Sequence, residues 1–190
     1  MSADAPARPS IRYELAAPKV ARIWLDRAET RNAQDTRLLY ELNDAFDRAA
    51  RDDDVSVIVL AAEGPHFSSG HDLRERGGLE AMGEHETVGT WCGFGCAGAE
   101  AQMAREKEIY LGFSERWRNI PKPTIAAVQG KVIAGGLMLV WPCDIPIPLP
   151  HDHIMPERIE AHTVHRSTSH GAPALSRRIW QCRRLSRRQS

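Results

Sequence analysis

The residues of this 190-residue sequence that could do chemistry fall in four places. The first is Phe67-Ser68-Ser69-Gly70-His71-Asp72-Leu73, which sets two hydroxyls, an imidazole and a carboxylate around one glycine. Taken alone it is an ordinary strand-to-helix turn, with Asp72 capping the next helix. The second is Ala134-Gly135-Gly136, which alone reads as a pair of small residues where a helix and a strand pack closely. The third is Arg27 and Arg31, whose guanidinium groups suit phosphates and which otherwise belong to a solvated polar loop. The fourth is a histidine cluster, His151, His153, His162 and His165, of a ligand type that suits zinc or nickel. No rigid element fixes those four, so no metal site is assigned. Cys92 and Cys96 have no second pair of metal-ligand spacing, and His66 and His85 read as loop histidines.

These residues sit on a legible α/β framework. Residues 11–16 and Val20–Leu25 are short β-type runs separated by Ala17-Pro18-Lys19, which predicts a hairpin. A polar loop through Arg31-Asn32-Ala33-Gln34 leads to a change of period. Leu38, Leu39, Leu42, Ala45, Phe46 and Ala49 recur at helical spacing, with Asp35 or Thr36 as N-cap. Residues 55–62 are nearly all apolar and β-branched, as in a strand covered on both faces. Strand, helix and buried strand make a crossover unit. Residues 77–98 contain seven glycines and predict a loop or mobile lid. A helix is expected over residues 100–119, with Met103, Tyr110, Phe113 and Trp117 on one face and Pro121 ending it. Thr124–Val128 is a further buried strand.

Two segments together carry more than pattern. Phe67-Ser68-Ser69-Gly70-His71-Asp72-Leu73 resembles the "F-S-A-G-x-D-L" segment of the enoyl-CoA hydratase/isomerase (crotonase) superfamily. Pro121-Lys122-Pro123-Thr124-Ile125-Ala126-Ala127-Val128-Gln129-Gly130, followed by Ala134-Gly135-Gly136 and Cys143-Asp144, resembles its "K-P-x-I-A-A-V-x-G…G-G…C-D" segment. Arg31-Asn32-Ala33 and Asp54-Val55-Ser56-Val57-Ile58-Val59-Leu60 stand in the matching order, so the resemblance covers about residues 10–144. It implies a crotonase-like fold of repeated ββα units in a spiral sheet, here C-terminally incomplete. It implies an acyl-CoA-handling enzyme of fatty-acid metabolism, with the coenzyme A thioester as substrate and no further cofactor. Such chemistry stabilises a thioester enolate with two backbone N–H groups, which need tight turns and small neighbours. By resemblance those donors are the amides of His71 and Gly135, and because they are main chain, a histidine at 71 is compatible. The same resemblance places the acyl-CoA against Arg27, Arg31, Ala33, Ser69, Gly70, Asp72, Leu73, Gly136 and Met138.

The sequence also departs from the family. One glutamate of the hydratases sits three residues after the central oxyanion glycine, and that position is Met138, which transfers no proton. The second would lie beyond Cys143-Asp144 and is not recognisable. From residue 145 a proline stands at every second position, where a central ladder could not tolerate it. Beyond it come five of the eight histidines and eight arginines without a lysine. Residues 1–10 and 145–190 are therefore expected to be disordered around a core at 11–144. A frameshift near codon 145 or a degraded gene copy is the reading taken for that tail, with a divergent genuine segment as the alternative. A catalytically inactive remnant that binds full-length relatives is the second functional reading. Family members form homo-oligomers, an assembly that loss of the closing helices would remove.

Charge and composition exclude other classes. Lys and Arg balance Asp and Glu at 25 each, with pI near 7.1. Residues 1–150 nevertheless carry net −5 and residues 151–190 net +5. Formal neutrality argues against a dedicated nucleic-acid or membrane-surface protein. The arginine pairs of the tail would bind nucleic acid only weakly and without specificity. Residues 132–143, the longest uncharged apolar stretch, fall short of the ~20 needed to span a bilayer. Four cysteines without framework spacing, and no signal-peptide pattern at the start, predict a cytoplasmic location.

Overall fold

The computed structural model describes residues 8–149. The calls on residues 1–7 and on the histidine- and arginine-rich stretch from 150 onward lie outside the described residues. The described residues form a five-stranded sheet in sequential order, β1 (Ile11–Ala17), β2 (Val20–Leu25), β3 (Val57–Ala62), β4 (Thr124–Val128) and β5 (Ile145–Pro148). β1 and β2 pair antiparallel through a turn in which Lys19 takes φ 64°. The remaining neighbours are parallel. Parallel neighbours need crossovers, and the helices supply them: α1 (Thr36–Arg51) before β3, then α2 (Gly78–Met82), α3 (Ala99–Glu106) and α4 (Phe113–Arg118) before β4, and α5 (Gly135–Val140) before β5.

α1 forms where the 3.6-residue period begins. Asp35, in extended conformation, caps it by accepting from the Leu38 amide at 2.8 Å. All six apolar residues of the expected stripe, from Leu38 to Ala49, are buried. They pack with Ile23, Leu25, Ile58, Leu60 and Ala126 of the sheet. Phe46 meets Trp117 of α4 at 5.2 Å between ring centroids. Removal of these faces from water is the main driving force for the fold.

The helix expected at 100–119 is present but not uniform. A π-helical segment, Lys107–Gly112, separates α3 from α4. Its wider turn shifts the buried face. Ala101, Ala104, Arg105 and Glu108 are buried on one side of the register change and Tyr110, Phe113 and Trp117 on the other, while Met103 is 58% exposed. A constant period could not anticipate that slip. The glycine-rich stretch, expected as a loop or mobile lid, is turn and loop for most of its length, with one short helix. It contains α2, buries Met82 and stacks His85 on Tyr40 at 4.1 Å. Buried Glu108 accepts from the Val88 and Gly89 amides and from the Tyr40 hydroxyl. Asp72 caps no helix, because α2 starts only after Gly77. It closes a turn by accepting from the Arg74 amide at 3.1 Å.

Both expected ends of the ordered core shift outward. Ser10, assigned to a disordered leader, is buried, and its amide donates to Glu41 at 2.6 Å. Residues 145–148, expected to be excluded by proline, form β5 with all four residues exposed. The Leu149 amide donates to the Val128 carbonyl at 2.7 Å. With the two-residue period of a strand, the nitrogens of Ile145 and Ile147 then face β4, and those of Pro146 and Pro148 face outward. Proline is tolerated on that side of a strand because no ladder donor is needed there. In the sheet of the described residues β5 is the last strand, so the prohibition on a central strand does not apply there.

Asp144 joins β5 to β4. Its Oδ2 accepts from the Thr124 amide at 2.9 Å and from Thr124 Oγ1 at 3.0 Å, and its own amide donates to Thr124. Asp144→Ala leaves the buried Thr124 amide without that acceptor. It should cost about 1–3 kcal/mol, measured as a shift of the denaturant midpoint at unchanged slope.

Candidate functional site

The two glycine turns named by the sequence lie against each other. Gly70 follows β3 with φ 85°, a conformation that favours glycine. A Cβ there would stand 2.7 Å from the Ile133 carbonyl oxygen and 3.2 Å from the Gly135 nitrogen. On the facing side, a Cβ on Gly135 would stand 2.9 Å from His71 Nδ1 and 3.0 Å from Gln34 Oε1. A Cβ on Gly136 would stand 2.9 Å from the Ser68 carbonyl oxygen. Ala134, at φ 45° and ψ −110°, holds a strained backbone conformation that turns the chain into α5 at Gly135. Among the described residues, neither the His71 amide nor the Gly135 amide donates to a protein group.

Three loops are bound together at this point. Asn32, buried and at φ 52°, donates from Nδ2 to the carbonyls of Glu63 (2.9 Å) and His66 (3.0 Å) and accepts from the Arg27 amide at 3.0 Å. Gln34 exchanges backbone bonds with both neighbours of His71: its amide donates to Gly70, and Asp72 donates to its carbonyl, both at 2.8 Å. Gln34 Nε2 donates to Ser68 Oγ at 3.0 Å, and the Tyr110 hydroxyl donates to Gln34 Oε1 at 3.2 Å. Burial holds the Tyr110 hydroxyl well above its ordinary pKa, helped by the charge of Glu106, so it stays a donor.

An open cleft of about 430 Å³ runs along this seam, lined by Arg31, Ala33, Ser69, His71, Asp72 and Leu73 among others. A neighbouring cavity of about 250 Å³ shares Arg31 and Ser69 and adds His66, Lys131 and Ile133. Six of the residues named from sequence thus share one cleft. Gly70, Gly135 and Gly136 form the backbone contact behind it, and Met138 packs against the hydrophobic core from α5. Arg27 is committed elsewhere. Its guanidinium holds Asp35 at 2.6 Å, the Ala33 carbonyl at 3.0 Å and Asp72 at 3.4 Å. It therefore clamps the loop, and it lines neither cavity.

One pair was not legible in the sequence. His71 Nε2 faces Glu106 Oε2 of α3 at 3.5 Å, and the two side chains remain 37% and 36% exposed. The His71 ring rests on Tyr110 at 4.4 Å. Glu106 looked like any surface carboxylate of a charged helix, and only the fold brings it to residue 71. His66 and Lys131 were missed for the same reason.

The comparisons with known proteins concern the family and the fold. The model of the enoyl-CoA hydratase/isomerase family matches residues 16–91 and 93–154. The chain belongs to the enoyl-CoA hydratase/isomerase family. It is 43% identical over 143 residues to the Mycobacterium tuberculosis protein EchA13, named as an enoyl-CoA hydratase, covering 71% of this chain and 44% of that protein. A mitochondrial enoyl-CoA hydratase domain-containing protein 3 of Rattus norvegicus is 34% identical over 128 residues, 67% of this chain and 37% of its own length. The crystal structure described as a probable enoyl-CoA hydratase from Mycobacterium smegmatis is 43% identical, with TM-score 0.60, covering 73% of this chain and 48% of that one. The chain therefore spans about half the length of the relatives it matches. The crotonase-like α/β fold stands as the resemblance implied, and the matched region runs past residue 144 through β5. No helix among the described residues is long and apolar enough to cross a membrane.

The His71–Glu106 pair makes a pH prediction. The hydrogen bond from His71 holds the Glu106 carboxyl below its ordinary value against the opposing effect of burial, with further help from the charges of His71 and Arg105. A lowered carboxyl value in the folded state contributes stability above the ordinary carboxylate range. That contribution is lost as pH falls through the lowered value. Carbon-detected NMR titration should find Glu106 below the other exposed glutamates, and His71→Ala should move it back up.

Proposed function

We propose that this chain binds an acyl-CoA thioester in the cleft and stabilises its enolate with the amides of His71 and Gly135. The observation that carries the reading is the backbone contact between the Gly70-His71 and Ala134-Gly135 turns, with neither of the two amides donating to a group among the described residues. Two such donors aimed at one oxygen favour the charged enolate over the neutral thioester, and this differential is what accelerates α-proton removal. The substitution-intolerant spacing supports the same reading, since a methyl at Gly70 or Gly136 would strike a main-chain carbonyl.

The phosphates of coenzyme A fit the neighbouring cavity. Arg31, Lys131 and His66 line it, and the cleft that holds His71 shares Arg31 and Ser69 with it. Lys131 joins Arg31 in this role because both line that cavity, whereas Arg27 lines neither cavity. The cytoplasm is the location this reading favours, where acyl-CoA is met and where thiols such as exposed Cys92 and Cys96 stay reduced.

Hydration of an enoyl-CoA is not the reaction this site favours. Water addition needs positioned acid and base groups, each typically contributing 10²–10⁴-fold, and Met138 offers no carboxylate on α5. Isothermal titration with butyryl-CoA should show binding. The double variant Arg31→Ala/Lys131→Ala should weaken it by roughly tenfold or more, most strongly at low salt. Crotonyl-CoA should bind but hydrate slowly or not at all. Unchanged affinity in the double variant would overturn the phosphate assignment.

A further inference from the structure

We propose that the His71 side chain is the base that exchanges the α-proton of the bound acyl thioester, and that Glu106 positions it. The proposal rests on the acyl-CoA reading above and gives that site the proton acceptor that Met138 does not supply. Residue 71 then contributes twice, with its amide to the thioester oxygen and with its ring to the adjacent carbon.

The ring is placed for this. Nδ1 lies 2.9 Å from where a Cβ on Gly135 would stand, so this nitrogen lies on the side of the Gly135 turn. Nε2 is turned the other way, toward Glu106 Oε2 at 3.5 Å. With the Glu106 carboxylate accepting at Nε2, that nitrogen carries the proton, and Nδ1 keeps its lone pair on the Gly135 side, with no hydrogen-bond donor to it among the described residues. The same logic orients the imidazole of a hydrolase triad, with the carboxylate stabilising the imidazolium formed in the reaction. Apo distances of this kind are often long and tighten when substrate binds.

The surroundings hold the pair in register. Tyr110 supports the His71 ring from the π-helical segment, and its hydroxyl is tied to Gln34. Gln102 Nε2 donates to Glu106 Oε1 at 2.8 Å, and Arg105 Nη1 approaches the same oxygen at 3.3 Å. This leaves Oε2 for His71. Arg105 is itself held by Glu75 at 2.6 Å and by Thr36 at 3.0 Å. His71 lines the cleft, and both members of the pair are more than a third exposed, so a substrate can reach the ring.

The step balances without a co-reactant. The Cα–H bond breaks and its proton moves to Nδ1. The electron pair forms the Cα–C double bond, and the carbonyl π electrons move onto the oxygen held by the two amides. Reversal returns a proton to Cα, and in deuterated water the ring delivers a deuteron. The net change is isotope exchange at the α-carbon.

The test uses the full chain with butyryl-CoA in deuterated water, reading α-deuterium by mass spectrometry and affinity by titration. The parent should bind and exchange. His71→Ala keeps its backbone amide, so it should bind with similar affinity while exchange falls by about 10²–10⁴-fold. Added imidazole should restore part of that loss, which a purely structural role of the ring would not allow. Glu106→Gln should lower the maximal exchange rate at unchanged KM, and Glu106→Asp should recover part of it. Exchange by a folded His71→Ala protein at the parental rate would overturn the proposal and leave the oxyanion reading intact. Binding without exchange in the parent would do the same. Failure of the parent to bind any acyl-CoA would overturn both.

Discussion

Ser68 Oγ joins the segments that build the site. It donates to the Asn32 carbonyl at 2.9 Å and accepts from Gln34 Nε2 at 3.0 Å and from the Gly70 amide at 3.2 Å. The main chain of the same residue accepts from Ile133 at 3.0 Å and donates to Lys131 at 3.3 Å. The loop after β2, the turn after β3 and the approach to α5 therefore meet at one buried residue. A buried hydroxyl with all its partners is stabilising, and each partner left unpaired costs about 1–3 kcal/mol. The relative placement of His71 and Gly135 follows from this knot more than from either turn by itself.

The sheet supplies the frame and the polar knot supplies the aim. β3 and β4 are parallel neighbours, so the turns that follow them leave the same end of the sheet. Crevices at that end are where parallel α/β sheets commonly hold ligands. Close approach of the two turns then needs glycine at 70, 135 and 136, because side chains there would meet backbone atoms or the His71 ring. Arg27 completes the arrangement by drawing Asp35 at the start of α1 and Asp72 beyond His71 onto one guanidinium. Asp72 thus both lines the cleft and ties the loops together.

What was legible in the sequence follows physical rules. Thr124–Val128 and Val20–Leu25 were read at their observed bounds, because short, largely apolar β-type runs between turn residues leave little choice. The stripe of α1 was legible for the same reason. The two glycine turns could be found because backbone chemistry demands small residues at fixed places. The rest depended on tertiary context. The π-helical segment shifts the phase of its helix at no distinctive residue, so Met103 was misplaced on the buried face. Arg27 looked equivalent to Arg31 until the fold brought two carboxylates to it. Glu106 reaches His71 only because α3 crosses the turn, and no spacing along the chain encodes that. Proline at 146 and 148 was read as forbidding a central strand, whereas alternation directs both nitrogens to the side away from β4.

The central claim is that the knot at Ser68 presents two backbone donors to one oxygen. A crystal structure of the chain with a stable ketone analogue of butyryl-CoA, in which a methylene replaces the thioester sulfur, tests it most directly. The account predicts the analogue's carbonyl oxygen about 2.7–3.1 Å from both the His71 and Gly135 nitrogens, with the pantetheine chain leaving along Ser69 and Arg31. A carbonyl oxygen bound away from these amides, or held by only one of them, would contradict it.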